Sequence, residues 1–281
     1  MSWVHFADPA RIFALHALDA HTCLAATDRG LWRYCADGTW EEAAPALHDV
    51  ALTAVAATPS TILVGSAEHI ARSTDGGESW QLARTPLEGA VLGLALSPTF
   101  DQDGTAFAAT AQDGVLRSTT HGATWYAWNH GLLDLSINAV AVSPRFAEDQ
   151  LVFAAAETGL FVSYNGGRAW REIALPFHGS PLTTLAVEDN IEGMRVWVGS
   201  EGAGAWIADA PFQTWARVVP EATTINALLP GCLATTQGVF IMREGTTQHL
   251  DDIVDAVCIA RLAQQLVVGT AETGLWVYRG S

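Results

Sequence analysis

Trp80, Trp125, Trp170 and Trp215 stand at a constant interval of 45 residues, and three of them close the same short phrase. It reads Ser73-Thr-Asp75-Gly-Gly77-Glu-Ser-Trp80, then Ser118-Thr-Thr-His-Gly122-Ala-Thr-Trp125, then Ser163-Tyr-Asn165-Gly-Gly167-Arg-Ala-Trp170. Repetition at a fixed period means stacked copies of one supersecondary unit, none of which can bury its apolar face alone. The period is too long for a leucine-rich or ankyrin unit and suits one four-stranded propeller blade.

Each unit reads alike when aligned on its tryptophan. An alternating strand such as Ile137-Asn-Ala-Val-Ala-Val-Ser143 is followed by Leu151-Val-Phe-Ala-Ala155 and a tight Glu157-Thr-Gly159 turn. Leu160-Phe-Val-Ser163 then leads into the phrase, and a fourth strand begins at Trp170. Period-2 alternation and dense turn residues predict strands throughout, and no stretch carries a helical period. The frame divides the chain into units at about 11–45, 49–87, 89–134, 136–178, 180–220, 222–250 and 253–281. The sixth has no phrase and no tryptophan near Thr247, and the last has only three strands. Ser2-Trp-Val-His-Phe6 is a strand without a partner in the first unit, and it carries Trp3 where a fourth strand's tryptophan belongs. Pairing it beside residues 274–278 completes the last unit and closes a ring, leaving no unpaired edge at the junction. The expected fold is all-β: one seven-bladed β-propeller domain over 1–281, with four-stranded antiparallel blades.

Composition narrows the partners. The chain has 30 carboxylates against 14 arginines and no lysine, a formal charge of −16. Such a surface repels phosphate backbones and anionic lipid, so neither nucleic acid nor a membrane is an expected partner. No apolar run reaches the roughly 18–20 residues of a spanning helix, and the N-terminus lacks the pattern of a signal peptide. A cytoplasmic monomer is the expectation. Cys23, Cys35, Cys232 and Cys258 show no CxxC spacing and read as buried free thiols.

The phrase Ser-x-Asp-x-Gly-x-x-Trp resembles the Asp-box, or BNR repeat, of sialidase-like propellers. The match is full at Ser73, Asp75, Gly77 and Trp80, and partial where Thr120 and Asn165 replace the aspartate. Gly-Val-Leu-Arg-Ser118 and Ile-Ala-Arg-Ser73 look like the wider group that includes photosystem II assembly and stability factors. The resemblance implies a structural role for the phrase, on the face opposite any active site. It says little about activity, because such repeats occur in sialidases, sortilin-like receptors, cellulose-acting hydrolases and non-catalytic assembly factors.

In a propeller the second-to-third-strand turns and the between-blade connections share one face, around the channel mouth. The turns carry Asp28, Glu68, Asp113, Glu157, Glu201 and Glu272, with Gln237 in the sixth blade. The connections are expected to carry His48, His130, His178 and His249, and the first strands to begin with Thr53, Asn138, Thr183, Asn226 and Asp255. Each also has a plain reading: an acid before glycine is ordinary turn chemistry, and a Thr or Asn at a strand start bonds backbone. Together they form a candidate site for a protein or a small cationic ligand. No cofactor is expected. A metal at the mouth is an alternative without ligand spacing to support it. Sialidase chemistry is not expected, because Arg33, Arg72, Arg117, Arg243 and Arg279 and the four tyrosines fall on third or fourth strands or their turns, away from the channel, and the Arg-Ile-Pro element is absent. The preferred function is a non-catalytic binding or assembly module. The alternative is an enzyme at the same mouth, a glycoside hydrolase or a lyase of the virginiamycin B type. His130, His178 and Glu157 would then be the catalytic candidates.

Overall fold

The computed structural model describes residues 2–6, 10–190, 193–219, 223–243 and 246–279. Seven four-stranded antiparallel sheets are laid down in chain order from inner to outer strand, six of them from consecutive strands. The inner strands are Ile12–Ala17, Ala54–Ala57, Val91–Leu96, Ile137–Val142, Leu182–Asn190, Ile225–Leu229 and Ala256–Leu262. Each packs on its neighbours, and the seventh packs on the first, which makes a closed seven-bladed β-propeller. The expected unit limits at 220, 222 and 281 lie outside the described residues.

Closure uses both ends of the chain. Ser2–Phe6 pairs antiparallel with Leu275–Arg279 as the outer strand of blade seven. Trp3 lies opposite Tyr278, as Trp40 lies opposite Tyr34 in blade one. The first strand therefore occupies the fourth-strand place of the last blade.

Burial grades outward from the axis. Second strands such as Ala106–Thr110 and Val152–Ala156 are buried along their whole length, because a blade on each side covers both their faces. Fourth strands such as Tyr126–Ala127 are exposed. The core is accordingly split into seven apolar wedges, one between each pair of adjacent blades. The repeated tryptophans enter these wedges: Trp125 joins Leu63 of the preceding blade, and Trp170 joins Phe107.

The glycine-rich phrase is a hairpin device. Ser73 Oγ donates to Asp75 Oδ1 at 2.7 Å and accepts the Gly77 N–H at 2.9 Å, while Asp75 Oδ1 accepts the Ser79 N–H at 2.9 Å. Gly77 takes φ 101, a conformation that a side chain would strain. Hydrogen bonds from the Ser79 side chain, the Ser79 N–H and Ser73 hold the Asp75 carboxyl down at about 2. Ser163 and Asn165 reproduce the pattern, as do Ser118 and Thr120 with a hydroxyl in the acceptor's place.

Two one-turn α-helices, Phe100–Asp103 and Phe146–Asp149, depart from the all-strand expectation, each joining first to second strand, and a 3-10 turn, Pro45–Leu47, lies in the first connection. Both α-helices use one device. Ser97 and Ser143 donate to the last carboxylate of the turn at 2.6 Å, and Phe100 or Phe146 plugs the wedge below. One turn is too short to leave a periodic signal.

Three of the four free cysteines are buried and Cys35 is half-buried. Burial pushes the Cys23 thiol up to about 12.

Candidate functional site: the mouth face

The start of each inner strand is shaped by a β-bulge. Pairing with the second strand skips one residue in six blades, leaving Phe13, Leu92, Asn138, Thr183, Asn226 and Val257 unpaired at the mouth end of the channel. A bulge turns its side chain out of the pleat, and the polar ones reach the next blade. Asn138 Nδ2 donates to the Leu182 carbonyl at 2.8 Å and Asn226 Nδ2 to that of Ala256 at 2.7 Å. Thr183 donates to the Ile225 carbonyl, and Thr53 Oγ1, in the blade without a bulge, makes the equivalent bond to the Val91 carbonyl at 2.6 Å. The Asn138 and Asn226 amides expected to bind ligand thus have inter-blade carbonyls as partners. Asp255 does not belong to this series. Its equivalent is Val257, and Asp255 sits exposed before the strand with φ 57.

The histidines do not converge. His48 Nδ1 lies 2.8 Å from Glu42 Oε1, whose hydrogen bond raises the imidazole's pKa, with Asp49 adding to the effect. His249 is not in a connection. It lies on the outer strand Thr246–Leu250, stacked on Phe240 at 4.4 Å, with Nε2 donating to the Gln237 carbonyl at 3.0 Å. Blade six lost its phrase and its tryptophan, yet its fourth strand still begins beside Thr247 and runs on through His249 to Leu250. His130 is exposed, and its carbonyl accepts the Trp170 N–H at 2.8 Å. Gly131 follows it at φ 86, where a Cβ would meet the Trp170 carbonyl oxygen at 2.3 Å.

The acids divide. Asp28 accepts the Arg11 N–H at 2.9 Å, and Asp113 accepts those of Glu88 and Gly89 at 3.0 and 2.9 Å, so both fasten a turn to the incoming connection. Glu157 and Glu272 project from their turns, with no ion pair or hydrogen bond to either side chain among the described residues. No three His, Cys, Asp or Glu side chains there form a metal-ligating group.

Of the predicted residues, Glu157 and His178 come together. They line a cleft of about 690 Å³ with Glu172, Ile173, Leu175 and Phe177, between the outer half of blade four and its connection into blade five. The cleft is therefore off the channel axis, at the rim of the mouth face. Glu172 escapes sequence reading because it follows Trp170 on an outer strand, where an acid looks like solvated surface.

The mouth face is also apolar. Phe13, Val50, Leu92, Leu133, Leu135 and Val254 are exposed on it, Leu133 at 81% and Val254 at 62%. One signal was available: Gly131-Leu-Leu-Asp-Leu135 is an apolar run inside a connection, where polar residues are usual. Arg11 and Arg29 lie at the blade-one turn of this face, where the Arg11 N–H meets Asp28 and the Arg29 carbonyl accepts the Asp49 N–H.

Deeper in the channel wall, His16 Nε2 donates to the Ala57 carbonyl at 2.9 Å. Burial lowers its pKa, partly offset by that bond. A lowered imidazole pKa means the unfolded chain takes the proton first, so this contribution is full above about pH 6.5 and shrinks as pH falls below it. His16→Gln keeps a donor and removes the titration. Its urea midpoint should fall less between pH 7 and pH 5 than that of the unsubstituted protein. Equal falls would show that His16 is not the titrating group.

No protein-family model matches the chain, and no curated protein matches its sequence. Among solved structures, the extracellular domain of BT4673 from B. thetaiotaomicron superposes with a TM-score of 0.80 at 15% identity, over 99% of this chain and 40% of that one. This chain thus spans about two fifths of that protein's length. YCF48 bound to D1 peptide gives a TM-score of 0.75 at 18% identity, covering 100% and 97% of the two chains. The GH74 xyloglucanase from Xanthomonas campestris gives 0.75 at 15%, covering 99% and 53%. Likeness at such identities establishes the fold alone: the chain is a seven-bladed β-propeller of an architecture shared by a peptide-bound protein and a glycoside hydrolase.

Proposed function

We propose that this chain is a non-catalytic, Asp-box-type binding or assembly module that docks a basic, partly apolar segment of a protein partner on its mouth face. The observation that carries this reading is the co-location of exposed apolar side chains, from Phe13 to Val254, with exposed carboxylates such as Glu157 and Glu272. Exposed apolar side chains gathered on one face mark interaction sites, and a predominantly acidic rim selects and steers an oppositely charged partner. The peptide-bound YCF48 structure gives the reading an analogue on the same fold. Four free thiols suit a reducing compartment, in keeping with a cytoplasmic setting.

The test is calorimetric titration with a peptide of alternating arginine and leucine, and with its glutamate-for-arginine counterpart. The basic peptide should bind at roughly 1–100 µM, more weakly as salt rises, and the acidic one should not bind. Leu133→Asp with Leu135→Asp should weaken binding at least about tenfold. Equal binding of both peptides, or indifference to the leucine substitutions, refutes the reading.

One observation favours a second reading. Glu157 and Glu172 share a cleft, and glycoside hydrolysis uses two carboxyls. Hydrolysis of a β-glucan that is lost in both Glu157→Gln and Glu172→Gln would put the enzyme reading in place of the binding one.

A further inference from the structure

The cleft at blade four has a wall whose chemistry goes beyond acidity. Phe177 packs on Trp206 with ring centroids 5.6 Å apart and planes at 32°. Beyond it, the Arg217 guanidinium lies 5.5 Å from the Trp206 ring centroid. The sequence of contacts is therefore guanidinium, indole, phenyl, and then the cleft that Phe177 lines. Two carboxylates reach the same cleft from different elements, Glu157 from the second-to-third turn and Glu172 from the outer strand Arg171–Ile173. Neither they nor His178 has an ion pair or a hydrogen bond to its side chain among the described residues.

We infer that this cleft receives an arginine side chain of the docking partner, its guanidinium stacked beside Phe177 and paired with Glu157 and Glu172. The assignment rests on the mouth face being the docking face. Charge complementarity favours a cation, since two unpaired carboxylates face a cavity that no arginine lines, with His178 as its one basic side chain. The aromatic wall selects among cations. A planar guanidinium stacks on a ring and still offers its edge donors to carboxylates, whereas an ammonium is a compact, strongly hydrated point charge. The protein already uses the first arrangement at Arg217 on Trp206. A volume of about 690 Å³ falls within the range of formed ligand pockets and admits the side chain with part of its backbone.

The experiment uses the full chain and three peptides: one arginine flanked by leucine and glycine, the same peptide with citrulline, and the same with lysine. Citrulline keeps the shape and removes the charge. Citrulline should weaken binding roughly tenfold or more, as expected for a charge-assisted hydrogen bond, and lysine roughly threefold. Glu157→Gln with Glu172→Gln should remove the preference for arginine over citrulline, and Phe177→Leu the preference for arginine over lysine. These substitutions are at exposed or half-buried positions, and circular dichroism checks that each variant is folded. If the arginine and citrulline peptides bind alike, or the cleft variants leave the preference intact, the inference is wrong. If the Leu133 and Leu135 substitutions abolish binding while the cleft variants change nothing, the cleft assignment falls and the mouth reading stands. Loss of neither overturns both.

Discussion

Trp125→Ala is expected to destabilise the protein by about 3–5 kcal/mol, the usual cost of truncating a fully buried large aromatic. Trp125 is 1% exposed and fills the wedge between blades two and three with Leu63, Phe100 and Leu116. Its indole N–H donates to the Gly122 carbonyl at 2.9 Å, so the deletion also strips the turn that carries it. Trp215, at the same place in blade five, is only half-buried, and its indole N–H donates to the Ala174 carbonyl of the blade before it. Trp215→Ala should therefore cost only about 1–2 kcal/mol, in proportion to the smaller area it removes from water. Urea midpoints of the two variants measure the contrast. Equal costs would mean that the repeated tryptophans stabilise the fold by something other than wedge burial.

Removing residues 1–6 is expected to have a still larger effect, because it opens the ring. Trp3 packs on Tyr278 at 5.0 Å and edge-on to Trp276 at 6.5 Å, while Phe6 crosses to Tyr34 of blade one at 5.3 Å. The strand thus caps blade seven and touches its neighbour. Without it, Leu275–Arg279 becomes a bare edge, ready to pair with another chain. The shortened protein should lose the cooperative thermal transition of the full chain and elute as aggregates in size-exclusion chromatography with light scattering. A monomer with an unchanged transition would mean that the closing strand contributes nothing to the ring.

The fold was readable because its signals are local and repeated. Each tryptophan sits where a wedge must be filled, and the places where the interval fails are also informative. Trp3 has no blade of its own at the start of the chain, and the register confirms its place by setting it opposite Tyr278. The short helices were not readable, because a single turn fixed by Ser97 and Asp103 leaves no period.

The mouth was readable only in part. Sequence shows an amide at the start of a strand, as at Asn138 and Asn226, but the carbonyl it reaches belongs to the next blade. His249 lies on a strand and not after it, and blade six offers no tryptophan or glycine-rich phrase to mark that strand in the sequence. Glu172 and Phe177 meet in one cleft because the end of the outer strand lies under the connection that follows it. Exposure of Leu133 is likewise a property of the folded ring, since an apolar residue in a loop reads equally well as packed.

The central claim is that this propeller binds through its mouth and is held together by the opposite face. Hydrogen-exchange footprinting with the basic peptide tests it most directly. Protection should rise at the connections around Val50, Leu133, His178 and Val254 and at the Glu157 turn, and stay unchanged at the Ser73–Trp80, Ser118–Trp125 and Ser163–Trp170 turns. Protection of those three turns, with the mouth connections unchanged, would contradict the account.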